Sequence, residues 1–405
     1  MIGIARAVVA ALALAAGPAA AENTAIIGAA VYASPDAAVI RDAVVLVVDG
    51  RVTRVGTRAS TPVPKGYRVI DQAGRYLVAG FWNNHVHLTT PVLLNAVTTT
   101  DAALGAELEK NFTRWGFTTI FDLASTTAVS ANVRGRVSTG KIAGPRVLSV
   151  GEPFYPTGAT PIYAREFYSV FKLPSAEIVL VADAERRVRA QVAAGAAGIK
   201  LFTGSIVGGP QGVVHMPAAT IRALADAAHR LGKPVFAHGT DREGTDLAVA
   251  NGVDILAHSA PLMEDWTAEY AASIAARKVA MVPTLSLFDA SPDARTPTSA
   301  AVQQTAALHK AGGTILFGTD AGFTELFDTA PELRLMGKAL DWRGVLAAMT
   351  TAPAATFGEA DRRGRVARGY VADLVVVGGD PAVGVENLAD VQLVMRGGRV
   401  IFVRP

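Results

Sequence analysis

Residues 80–87 read Gly80-Phe81-Trp82-Asn83-Asn84-His85-Val86-His87, an apolar run ending in two histidines one residue apart. On a strand, positions i and i+2 point to one face, so both imidazoles leave the strand end together. The same form recurs along the chain. PVFAHG carries an apolar run to His238, VDILAHS carries one to His258, and TILFGTDAG carries one to Asp320. AAGAAGIKLFTG places Lys200 inside another. Candidate strands end near His87, Asp122, Val150, Lys200, His238, His258, Leu287 and Asp320, with helical stretches between most of them. One helix is expected from Thr220 to Leu231, with Ile221, Leu224, Ala228 and Leu231 on one face and Gly232 as its stop. Eight strand–helix units within residues 79–360 predict an α/β fold, a (β/α)8 barrel of TIM type. A doubly wound sheet is disfavoured, because no G-x-G-x-x-G opens a helix after the first strand.

The flanks have another texture. Residues 24–78 hold Val/Ile-rich runs with an Asp49-Gly50 turn signal, and the last 40 residues repeat that character around Gly397-Gly398. Residues 22–78 and 361–405 are therefore expected to pair into one small β-sandwich domain. Residues 151–178 form a long aromatic-rich connection, suggesting a lid or binding loop, and residues 288–300 are the most loop-like stretch.

Before these lies MIGIARAVVAALALAAGPAAA. Arg6, the apolar run 7–16, the Gly17-Pro18 break and Ala19-Ala20-Ala21 fit a signal peptide over residues 1–21, with a periplasmic or secreted product. The run is short for a membrane anchor, so no stable membrane insertion is expected after cleavage. Of the 405 residues, 50% are hydrophobic and 18% charged, which excludes a disordered chain. The net charge is +3, and +2 once Arg6 is removed, with no basic block, so nucleic acid is not an expected partner. Cysteine is absent, which excludes disulfides and thiolate metal sites. Homo-oligomerisation is left open.

Histidine is scarce, with seven in the chain, and four of them close apolar runs. One strand-end histidine alone is more often structural. His229 and His309 fall on solvated helix faces, and His215 sits in a loop. A lone Asp320 would read as a helix N-cap, yet a carboxylate there can also bind metal and accept a proton from water. Lys200 is a snorkelling side chain or a buried amine. A buried amine is paired, depressed in pKa or chemically altered, for example by carbon dioxide to an anionic carbamate.

Together His85, His87, Lys200, His238, His258 and Asp320 fall on candidate strands 1, 1, 4, 5, 6 and 8, an order that resembles the amidohydrolase superfamily in its two-metal, carboxylated-lysine form. GRVARGYVADLVVVGGDP and MTTAPAATFG resemble that family's return into its β-domain. GIKLFTG with the AHG and AHS histidines resembles the imidazolonepropionase-like and proline-dipeptidase-like branch. The resemblance implies that His85, His87 and Asp320 hold one divalent ion and His238 and His258 the other. Carboxylated Lys200 and a hydroxide would bridge them. Zinc is the default for such ligands. Asp320 would move the proton from the hydroxide to the leaving amine. Asn83 departs from the family's usual Asp two residues before the first histidine and is expected to support ligands, as are Thr203 and Ser259. Tyr163 and Arg165 are candidate contacts for a substrate carboxylate.

The implied function is an exported hydrolase of a C–N amide bond in a dipeptide or N-acyl amino acid. The same six ligands serve lactone, ester or phosphotriester hydrolysis. A deaminase is disfavoured, because His238 is followed by Gly239-Thr240-Asp241 and the strand-4 lysine is present. A non-catalytic periplasmic binding protein would have no use for all six ligands.

Overall fold

The apolar runs that end in chemistry-bearing residues become short parallel strands at the centre of the molecule. The computed structural model describes residues 22–260, 262, 263, 265–290 and 298–405. The expected signal peptide, residues 1–21, lies outside them, as does most of the 288–300 loop. The parallel strands are β1 Phe81–Val86, β2 Phe117–Asp122, β3 Arg146–Ser149, β4 Ile199–Phe202, β5 Val235–His238, β6 Ile255–Ala257 and β7 Ala280–Val282. β1, β2 and β4 are buried along their whole length, as expected of strands covered on both faces.

These strands form two sheets, β1-β2-β3 and β4-β5-β6-β7, and no closed eight-stranded sheet is present among the described residues. Single hydrogen bonds span the gaps. Ala197 N donates to Ser149 O at 2.7 Å, and Phe154 N to Lys200 O at 2.8 Å. On the other side Met281 N donates to Thr314 O at 2.9 Å and Asn84 N to Phe317 O at 2.8 Å. The architecture is TIM-barrel-like α/β. The segment ending at Asp320 joins by isolated bridges, Met281 to Ile315 and Val86 to Ala321, and is not a regular strand. Its backbone turns into the left-handed region at Asp320, φ 58°. The seventh strand stops at Val282, short of the expected Leu287. Pro283 offers no N–H, Thr284 takes φ 48°, and a helix already runs over Leu285–Ala290. The helix expected from Thr220 begins at Ala218 behind Pro217 and ends at His229.

Both ends of the chain are β-rich. One sheet orders Arg51–Thr57, Ala43–Val48, Thr24–Ile27 and Arg68–Asp71. The other orders Ala30–Val31, Tyr76–Ala79, Leu374–Val377, Val391–Arg396 and Arg399–Val403. Ile26, Val45 and Val47 of the first share an apolar cluster with Leu77, Leu374 and Met395 of the second. The 151–178 connection carries a helix, Ile162–Val170, none of whose residues is fully buried.

Ion pairs tie the central strands to the terminal sheets. Arg146 of β3 meets Glu359 at 2.7 Å and lies over the Trp82 ring of β1. Arg363 meets Glu359 at 2.9 Å and also binds Asp373, whose other oxygen accepts Gly397 N at 2.8 Å. Burial raises the Glu359 pKa, but Arg146, Arg363 and Arg362 outweigh it and hold the carboxyl below the usual range. The stability this gives is present above the ordinary carboxylate range and is lost as pH falls through the lower folded value. Glu359→Ala takes the carboxylate from partly buried Arg146 and leaves Arg363 with Asp373 alone. It is expected to cost about 3–5 kcal/mol in urea unfolding at neutral pH. The gap to the parent protein should narrow below about pH 4.

Candidate functional site

Parallel strands release their side chains at their C-terminal ends, and here those ends converge. His85 and His87 leave β1, Lys200 sits within β4, His238 ends β5, His258 follows β6, and Asp320 follows the bridged segment. All six line one cavity. The three ring pairs in sequence around it are close: His85 to His87 at 5.3 Å, His85 to His258 at 4.5 Å and His238 to His258 at 4.7 Å between centroids. Asp320 Oδ1 lies 2.7 Å from His87 Nε2 and 3.0 Å from His85 Nε2. His85, His87 and Asp320 place donor atoms within 4.8 Å of one another, close enough to hold one metal ion.

Burial sets the electrostatics. It pushes His85 down to about 3, with Asp320 opposing, and pushes His238 down to about 3 with the help of Lys200. His258 is also driven well below its ordinary value by burial. These rings are therefore neutral and offer lone pairs at neutral pH. Lys200, 2% exposed, is brought down to about 7 by burial, against the pull of Asp320. Burial would raise Asp320, but His85 and His87 outweigh it and keep the carboxylate ionised.

The donors fit a metal. Among the described residues, both ring nitrogens of His85 and Nε2 of His238 are buried without a hydrogen-bond partner. Each neutral ring has one bare lone pair, and a buried lone pair of this kind suits a metal ion. His85 Nε2 is near Asp320 yet out of line for a hydrogen bond with it.

Neighbouring groups hold the ligands. Asn83 Nδ2 donates to Thr319 Oγ1 at 2.8 Å, and its Oδ1 accepts from His85 N and Thr319 N at 3.3 Å each. Asn83 thus fastens β1 to the Asp320 turn. Thr203 binds the His238 carbonyl through its N–H at 3.1 Å and its hydroxyl at 3.3 Å. Ser259 turns away from the cavity, with its hydroxyl toward Ala301 O at 3.4 Å. Tyr163, on the Ile162–Val170 helix, lines the cavity and packs edge-on against Phe323 at 5.3 Å. The residue is 41% exposed overall, but the burial of its inward end and then Asp320 raise its pKa, and the hydroxyl is protonated at neutral pH as in any tyrosine. Arg165 does not line the cavity; its guanidinium donates to Thr160 O at 3.1 Å and Val207 O at 3.3 Å.

Sequence reasoning missed three parts of this site. Thr284 Oγ1 donates to Pro283 O at 2.8 Å, so His258 Nδ1, also 2.8 Å away, must be the donor to Thr284, which leaves Nε2 free. Glu332 accepts Leu285 N at 2.9 Å and Ser286 N at 2.6 Å, fixing the turn that carries Thr284. A hairpin of Gly204–Gly208 and Gly212–His215 forms one wall. Its Gly208-Gly209-Pro210 tip was a legible turn signal, whereas Thr284 and Glu332 have no local signature.

The amidohydrolase family profile matches residues 76–403. The chain belongs to the amidohydrolase family. No curated protein matches it. Among solved structures it resembles an amidohydrolase at 25% identity and TM-score 0.78, over 95% of this chain and 99% of that one. It also resembles a Xaa-Pro dipeptidase with bound methionine at 20% identity and TM-score 0.80, over 95% and 100% of the two chains. The A. niger ochratoxinase aligns at 21% identity and TM-score 0.75, over 95% and 96%. Within this family member, Thr284→Val should leave the fold intact while releasing the His258 ring. Affinity for a divalent metal ion, read by competition with a chromogenic chelator, is expected to fall about 10–100-fold.

Proposed function

We propose that this chain is a binuclear metal-dependent hydrolase that cleaves a C–N amide bond. The observation that carries the proposal is the set of buried, unpartnered imidazole nitrogens of His85 and His238 beside the carboxylate of Asp320. In this reading His85, His87 and Asp320 hold one divalent ion, and His238 and His258 the other. Lys200, buried and with no carboxylate at ion-pair distance among the described residues, would as its carbamate supply a further anionic ligand to them. Zinc is the assigned metal, because imidazole and carboxylate are its usual oxygen and nitrogen donors. Two such ions, when bound, lower the pKa of water and polarise a carbonyl. Asp320 is the one carboxylate at hand to take a proton from water and pass it to the departing nitrogen. The protonated Tyr163 hydroxyl is placed to hold the substrate.

Family membership and the likeness to an amidohydrolase at 25% identity support hydrolysis of an amide. A dipeptide or an N-acyl amino acid would each present such an amide bond. We further assign residues 1–21 to a signal peptide and the mature chain to the periplasm or exterior. The two parallel sheets and the 314–320 segment act as one (β/α)8 barrel over residues 79–360. Residues 22–78 with 361–405 act as a β-sandwich. Among the described residues no helix is long and apolar enough to cross a membrane.

The test is metal content of the protein purified with bicarbonate, by mass spectrometry, beside Lys200→Ala. About two ions per chain are expected, falling in the variant. One ion unaffected by the substitution would refute the binuclear centre. Asp320→Asn should keep its circular dichroism and lose turnover by about 10²–10⁴-fold, and near-native rates would refute the assigned proton transfer.

A further inference from the structure

Resting on the hydrolase reading above, we infer that the substrate is a bulky, uncharged amide gripped by aromatic contact, and that a free carboxylate is not what this site recognises. The cavity over the ligand cluster measures about 1140 Å³. That is at the upper end of what a drug-sized molecule fills and generous for a dipeptide. Its walls are aromatic: Tyr155, Tyr163, Phe167, Phe202, Phe288 and Phe323 all face it. The mouth is apolar as well. Ile162 is 52% exposed and Phe323 51%, and exposed apolar groups that gather at a cleft mark a binding surface.

The lining is as informative for what it omits. Among the described residues it holds no arginine, and its one lysine is Lys200, already placed in the metal centre. Among the described residues, the basic side chains behind the wall already have partners. Arg165 is spent on Thr160 O and Val207 O, and His215 lies 2.9 Å from Asp241. A substrate carboxylate entering beyond the metal cluster would give up its water without gaining a cation, which is strongly unfavourable. A neutral aromatic group would instead meet ring edges and faces.

The test uses the metal-loaded enzyme and two hydroxamates that share one anchor for the metals. They are 2-naphthylacetohydroxamic acid and the same compound with a 6-carboxylate, and binding is read by calorimetry. The neutral tail is expected to bind at least about tenfold more tightly, a difference of about 1.4 kcal/mol. Phe323→Arg, which places a cation at the mouth, should shrink that ratio by strengthening the carboxylate compound. Equal or tighter binding of the carboxylate compound to the parent enzyme would overturn the inference and leave the hydrolase reading intact. So would a failure of both compounds to bind to enzyme shown to carry its metals, since the cavity would then reject a bulky aromatic. A protein that takes up no metal under loading conditions would fail the hydrolase reading itself.

Discussion

The structure turns on one electrostatic constraint: a group of imidazoles, an amine and a single carboxylate are buried together at the ends of parallel strands. Asp320 is shared by His85 and His87, while His85 and His238 keep buried nitrogens that nothing among the described residues satisfies. A hydrophobic core would not hold such a group without compensation, because each desolvated polar atom carries a cost. The arrangement is stable only because the surrounding strands over-determine it, and it is chemically useful for the same reason. Burial holds the His85, His238 and His258 rings neutral, and Asp320 stays ionised between His85 and His87.

The surrounding backbone carries matching strain. His258 and Asp320 themselves have positive φ, as do Thr240 just beyond His238 and Thr284 just beyond β7. For residues with a Cβ this region costs roughly 1–3 kcal/mol each and persists where neighbours enforce it. The enforcement is visible. Glu332 binds the turn after Thr284, and Asn83 binds both β1 and the Asp320 turn. Gly322 shows how tightly the ligand turn approaches β1, since a Cβ there would collide with the His87 carbonyl. Of the six side chains gathered at the cavity, His258 and Asp320 stand where local backbone preference is overridden.

This explains what could be read from sequence. Apolar runs ending in His87, His238 and His258 are legible because strand periodicity and a scarce residue type coincide, and the structure brings all of them to one cavity with Lys200 and Asp320. The end of β7 was not legible, because Pro283 and the left-handed Thr284 cut short an apolar run that continues to Leu287. The segment before Asp320 looks like a strand by composition but is held by isolated bridges. Thr284 and Glu332 act through contacts set by tertiary packing, which no local pattern announces. Arg165 was a sound candidate by type, yet its orientation depends on how the 162–170 helix meets the hairpin. Part of the cavity's aromatic character was written in the 151–178 connection, but the absence of arginine from its described lining emerged only once the walls were assembled.

The terminal sheets carry a further consequence for how the molecule is made. Tyr76–Ala79 finds its antiparallel partner in Leu374–Val377, and the Tyr32 hydroxyl reaches Asp380 across 348 residues of sequence. As the chain emerges from the ribosome, its first strands are complete long before those partners exist. Until then their apolar faces and open edges remain exposed. Such non-local pairing is slow to form. Final consolidation therefore waits on residues 374–403, and the early strands stay open to wrong pairing until those residues have emerged.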